Sequence, residues 1–244
     1  MDVGQLAEKL VWWIRDEVLA AGCKGVVLGM SGGLDSSVLA VSCHHAFPQS
    51  MLGVIMPCYS SQEDEEHARA VASQFSILTE VVVLDTVFDS LLKVLPGDRV
   101  DPSVSRLAES NLKARLRMLI LYYFANRLSY VVAGTSNRSE LSVGYFTKYG
   151  DGGADILPLG NMVKGQVREL AGFLRIPQEI IDKPPSAGLW LGQTDEGELG
   201  LSYEELDHYL ITGEASSELK QRVESMMAAA KHKCCLPPVA SFQA

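Results

Sequence analysis

The chain has 244 residues, 47% of them hydrophobic and 21% charged, with a formal net charge of −9 at pH 7. That balance suits a soluble globular chain, and the acidic excess argues against general nucleic-acid binding, which needs an accessible cationic surface. No run reaches the roughly 18 consecutive apolar residues of a membrane span. Residues 1–9 lack a signal-peptide core. Five cysteines (Cys23, Cys43, Cys58, Cys234, Cys235) without Cys-x-x-Cys spacing suggest reduced thiols in the cytoplasm rather than disulfides or a zinc site.

Leu6, Leu10, Trp13, Ile14 and Val18 recur at helical spacing and predict an amphipathic first helix that stops near Gly22. Short apolar runs then alternate with helical patterns. Strands are expected at Val26–Met30, Leu52–Met56, Val81–Leu84 and Tyr130–Ala133. Helices are expected over Ser36–Ala46, over Gln62–Phe75 with its acidic first turn, in a short stretch toward Leu95, and over Val104–Leu128. This alternation predicts an α/β fold, a parallel sheet with helices on both faces. No break in composition divides the chain, so one domain over 1–244 is expected. The apolar run Met118–Ala125 in the long helix fits a core helix or a subunit interface equally. From Gly144 onward the text reads as loops rich in Gly, Asp and Pro. The stretches 151–155 and 183–200 are long enough to be binding loops or lids. The end of the chain, with His232-Lys233 followed by Pro237-Pro238, reads locally as a solvated tail.

Ser31-Gly32-Gly33-Leu34-Asp35-Ser36-Ser37 follows the first strand and opens a helix. A Gly-rich turn in that context gathers backbone N–H groups around an anion at a helix N-terminus. There is no Gly-Lys-Ser/Thr, so no lysine reaches a β/γ bridge as in the usual kinase or GTPase loop. Hydroxyls and one carboxylate, Asp35, stand in its place. A carboxylate beside phosphate needs a cation, and Glu140, just past the fourth strand, supplies a second acid. Mg²⁺ bound by one or two carboxylates together with substrate phosphates fits this pair. Ligands in parallel sheets sit beyond the carboxyl ends of strands, so Ser31–Ser37, Pro57–Ser61 and Gly134–Glu140 should converge.

The Ser-Gly-Gly-x-Asp-Ser pattern resembles the pyrophosphatase loop of N-type ATP pyrophosphatases, which imply a Rossmann-like, adenine nucleotide alpha hydrolase-like fold. Three further segments sharpen the resemblance: Asn111–Met118, Gly144–Asp155 and Gly192–Gly200. With these the chain resembles the NAD⁺ synthetases along nearly its whole length. The resemblance implies ATP-dependent amidation of deamido-NAD⁺ through an acyl-adenylate, releasing AMP and pyrophosphate. It implies ATP contacts at Gly29, Met30, Ser31, Gly32, Gly33, Leu34, Asp35, Ser36, Thr135, Lys164 and Ser186. Asp35 and Glu140 would be the Mg²⁺ ligands, and Lys164 would help pyrophosphate leave. Arg115, Lys148, Asp155, His232 and Lys233 match positions that contact deamido-NAD⁺, and family members typically form homodimers. Two departures stand out: Ser136-Asn137-Arg138-Ser139 puts a charge beside Glu140, and Ser186 stands where Thr often occurs. The chain's length leaves no residues for a glutamine-using domain, so free ammonia, or ammonia from a separate partner, is expected. Competing readings are another ATP pyrophosphatase (GMP-forming or tRNA-modifying) and an adenine-nucleotide sensor without turnover.

Overall fold

The computed structural model describes residues 2–95, 102–186 and 194–242. Four parallel strands, β1 (Gly25–Gly29), β2 (Met51–Ile55), β3 (Thr79–Val81) and β4 (Tyr130–Val132), lie in the order β3-β2-β1-β4. The register pairs Val26 with Met51 on one side and with Val131 on the other. Helix α1 (Val3–Ala20) precedes β1, and α2 (Leu34–Ala46), α3 (Gln62–Gln74), α4 (Asp85–Val94) and α5 (Pro102–Leu128) fill the connections. They are followed by α6 (Arg138–Val143), α7 (Lys164–Phe173), α8 (Gln178–Asp182), α9 (Asp195–Leu199), α10 (Tyr203–Thr212) and α11 (Ser217–Ala230).

Side chains alternate across a strand, so the sheet builds two cores. Val26 and Leu28 of β1 pack with residues of α1, α2, α3, α7 and α8. Val27, with Leu52, Val54 and Val132, packs instead with Leu84, Phe88, Leu116, Met118 and Leu121. Val38, Leu39, Ala40 and Val41 of α2 are all fully buried, because α1, α7 and the sheet enclose that helix. A third, smaller cluster joins Val143 to Leu199, Leu201, Tyr203, Leu206 and Val223.

The strand order positions the site. The chain steps outward from β1 to β2 to β3, then returns along α5 to place β4 on the opposite side of β1. In sheets wound this way the ligand crevice lies beyond the strand ends where the direction of winding reverses, here between β1 and β4. The loops after β1 and β4 border it.

The expected α/β architecture holds, with three corrections. Edge strand β3 pairs through Thr79–Val81 rather than running to Leu84, and Val83 is 60% exposed. The text after Gly144 is not chiefly loop, since α7, α10 and α11 lie within it. Finally, the tail is no solvated end at residues 231–233, which form a 3₁₀ turn tied to the loop after α6. Helix α5 buries Ala114, Leu116, Met118, Leu121 and Ala125 while turning Leu119 and Tyr123 to the surface. No helix among the described residues is long and apolar enough to cross a membrane.

Candidate active site

The turn after β1 is held by its own hydroxyls. Ser36 and Ser37 donate to the Gly33 carbonyl at 3.0 and 2.8 Å, and Ser31 and Ser36 share a hydrogen bond of 3.0 Å. The Ser31 N–H donates to Ser36 Oγ and the Gly33 N–H to Ser31 Oγ, each at 3.3 Å, so these serines shape the loop and engage two of its N–H groups. Gly32 sits at φ +79°, where a Cβ would come within 2.0 Å of the Asp64 carbonyl oxygen on α3. Gly33 caps α2 without a side-chain bond to the first turn, which leaves that N-terminus open to an anion. Met30 and Leu34 are buried in the core, so only their backbone borders the crevice.

Three charged side chains from distant parts of the chain meet beside this turn. Lys164, the first residue of α7, ion-pairs with Asp35 Oδ2 and with Glu140 Oε1 at 3.3 Å. Burial alone would lower the lysine's pKa, but the two carboxylates outweigh it and hold the value above that of an ordinary lysine. Glu140 moves up from the usual carboxylate range, chiefly through burial, with Lys164 pulling it down and Asp35 pushing it up. The Lys164 ammonium also lies 5.0 Å from the centre of the Tyr203 ring.

Residues that sequence reasoning passed over complete the arrangement. Asn137 donates to Asp35 Oδ1 at 2.9 Å and caps α6 by accepting the Glu140 N–H at 3.0 Å. Asp207 of α10 accepts the Ser139 hydroxyl and the Gly165 N–H, and Ser139 in turn accepts the Lys164 N–H. This clamp fixes the start of α7. Asp195 is buried and accepts from the hydroxyls of Tyr145 at 3.0 Å and Tyr203 at 3.1 Å, and burial raises its pKa. The spacing Asn137-x-x-Glu140 is a capping-box signal that could have exposed the first of these residues.

The remaining expectations divide. Arg115 Nε donates to the Lys148 carbonyl at 3.2 Å, Lys148 Nζ to the His232 carbonyl at 2.6 Å, and Lys233 Nζ to the carbonyls of Gly144 and Phe146. Four of the five proposed dinucleotide contacts thus share one surface. Both carboxylate oxygens of Asp155, by contrast, are taken by the Tyr122 hydroxyl and the Val132 N–H, each at 2.8 Å. Arg138 donates to the Leu210 carbonyl at 2.8 Å. Thr135 is half-buried at the crevice, and Ser186 is exposed on the segment that Lys183 fastens to Asp64 at 2.7 Å. Pro57–Ser61 leads into α3, with Arg117 donating to the Met56 carbonyl and to Ser60. Most of the Gly192–Gly200 motif is seen in α9, whereas Gly192 and Gln193 lie outside the described residues.

The model of the family described as NAD synthase matches residues 6–237. The chain belongs to the NAD synthase family. An NH(3)-dependent NAD(+) synthetase of Carboxydothermus hydrogenoformans is 50% identical over 95% of each chain. Among solved structures, an NMN synthetase from Francisella tularensis superposes with a TM-score of 0.92 at 34% identity, covering 99% of this chain and all of the other. An NH3-dependent NAD synthetase from Campylobacter jejuni gives a TM-score of 0.81 at 26% identity, again over 99% of this chain and 100% of that one.

Proposed function

We infer that this NAD synthase is a ligase that forms a C–N bond, amidating deamido-NAD⁺ with ammonia and ATP to give NAD⁺, AMP and pyrophosphate. The observation that carries the mechanism is the meeting of Asp35, Glu140 and Lys164 beside an open helix N-terminus. A carboxylate is a poor acyl donor because oxide would have to leave. Attack by the nicotinate carboxylate on the α-phosphorus of ATP replaces oxide with AMP, and ammonia then displaces AMP from the carbonyl. The uncapped N-terminus of α2 orients the phosphates through its N–H groups, and Lys164 neutralises charge as pyrophosphate departs.

Asp35 and Glu140 fit a magnesium ion. They are two hard oxygen donors converging on one cation, the ammonium of Lys164. Asp35 and Glu140 would hold the Mg²⁺, which would offset the charge of the substrate phosphates. Arg115, Lys148, His232 and Lys233 form the surface for the dinucleotide's pyrophosphate and carboxylate. Asp155 would reach the ligand only through a carboxylate already engaged by Tyr122 and Val132. We read the chain as one domain that pairs as a homodimer through the outward face of α5, where Leu119 and Tyr123 stand exposed in line with Arg115. Its cysteines are all free, which suits the reducing cytoplasm. The ammonia is either free or passed on by a separate partner.

A second reading concerns substrate size. The similarity to the Francisella NMN synthetase favours the nicotinate mononucleotide as an alternative acceptor of AMP. Purified protein with ATP, Mg²⁺ and ammonium, offered both acids together, should convert deamido-NAD⁺ with the higher kcat/KM. Preference for the mononucleotide would replace the lead reading, and no pyrophosphate release with either would refute both.

A further inference from the structure

Asn137 is fully buried and touches both acids of the proposed metal site. Its amide Nδ2 donates to Asp35 Oδ1 at 2.9 Å, and its backbone N–H donates to Glu140 Oε2 at 3.2 Å. Its amide oxygen accepts the Glu140 backbone N–H at 3.0 Å. Each carboxylate thus gives one oxygen to Asn137 and turns the other, Asp35 Oδ2 or Glu140 Oε1, toward the shared Lys164 ammonium. We propose that Asn137 is the positioning residue that keeps Asp35 and Glu140 aimed at one common cation site. This rests on the reading of those two acids as metal ligands.

The need for such a residue follows from the charges. The Lys164 ammonium draws the two carboxylates together. Once Lys164 turns to phosphate oxygens, the acids repel each other until a metal arrives. The Asn137 side-chain amide restrains Asp35 and its backbone N–H restrains Glu140 through that interval, and neither competes for the oxygens that bind the cation. Partners of this kind orient metal ligands, and their loss costs roughly 10–100-fold in metal affinity or activity. Asparagine suits the role because one end of the amide accepts and the other donates. A serine there would keep the helix cap but could not span to Asp35.

The test is Mn²⁺ affinity, read by electron paramagnetic resonance on the whole protein with a non-cleavable α,β-methylene ATP analogue, alongside thermal melting. In Asn137→Ser the affinity should fall roughly 10–100-fold while the melting temperature stays close to that of the parent. Asn137→Asp keeps the cap and the shape but puts an acceptor against Asp35. Its Mn²⁺ affinity should also fall, whereas a purely electrostatic role would raise it. Asp35→Asn serves as the control for the underlying reading. If Asp35→Asn loses Mn²⁺ and the Asn137 variants bind it like the parent, the positioning role is overturned. Asn137→Ser that is unfolded would also overturn it, by showing a structural cap only. If Asp35→Asn itself binds Mn²⁺ unchanged, the metal reading fails first.

Discussion

Replacing Lys164 with methionine removes the cation on which Asp35 and Glu140 converge while keeping much of its apolar stem. At 3.3 Å from Glu140 Oε1, a unit charge in an effective dielectric of about 20 contributes about 5 kcal/mol of attraction. Burial of all three groups offsets most of that, but removing one partner strands the others, at a cost of about 3–5 kcal/mol. A domain of this size loses roughly 2–4 °C per kcal/mol, so the variant should melt about 10 °C lower in metal-free buffer. Glu140, already raised by burial and no longer held down by Lys164, takes up a proton in the folded state. The folded state then binds more protons than the unfolded one, so stability falls as pH rises above the usual glutamate value of about 4.3. Because Glu140 in the parent is itself raised to about 8, the two proteins share this slope below that value, and the deficit should grow only above it, being larger at about pH 9.5 than at about pH 7. Mg²⁺ should recover part of it in the variant and change the parent little. Scanning fluorimetry with and without Mg²⁺ at both pH values measures this. A variant that melts like the parent at the higher pH, with no response to Mg²⁺, would refute the charge triangle.

Gly32→Ala should reduce kcat/KM for ATP at least 10-fold, because the φ of +79° and the 2.0 Å approach to Asp64 force the phosphate turn to shift; steady-state kinetics with unchanged ATP dependence would contradict it. Lys233→Met should raise the KM for deamido-NAD⁺ about 10-fold, or roughly 1.4 kcal/mol, and leave the KM for ATP alone; equal effects on both substrates would move Lys233 out of the dinucleotide surface. Leu119→Glu puts a charge on the outward face of α5 and should yield monomers in sedimentation analysis; an unaltered dimer would place the interface elsewhere.

Much of this was legible in the chain itself. The strand β1 and the glycine turn after it announce themselves locally, because a buried parallel strand is continuously apolar and the turn demands glycine. The β3 edge misled, since Val81 and Val83 are apolar yet exposed and the pairing spans Thr79–Val81, ending before Val83. The helices α7, α10 and α11 were hidden among Gly, Asp and Pro, although Ser202 and Glu205 form a capping box that marks the start of α10. The union of Asp35 with Lys164 spans 129 positions, and no local pattern carries such a pairing. The same holds for Lys233, a tail lysine by local pattern, whose ammonium finds the Gly144 and Phe146 carbonyls only once α11 has packed.

The central claim is that the crevice beyond β1 and β4 lets the nicotinate carboxylate attack the α-phosphorus of ATP. Deamido-NAD⁺ labelled with ¹⁸O in that carboxylate, turned over with ATP, Mg²⁺ and ammonium, reports it directly by mass spectrometry of the products. The account predicts one labelled oxygen in AMP and none in pyrophosphate. Unlabelled AMP, or label in pyrophosphate or orthophosphate, would contradict it.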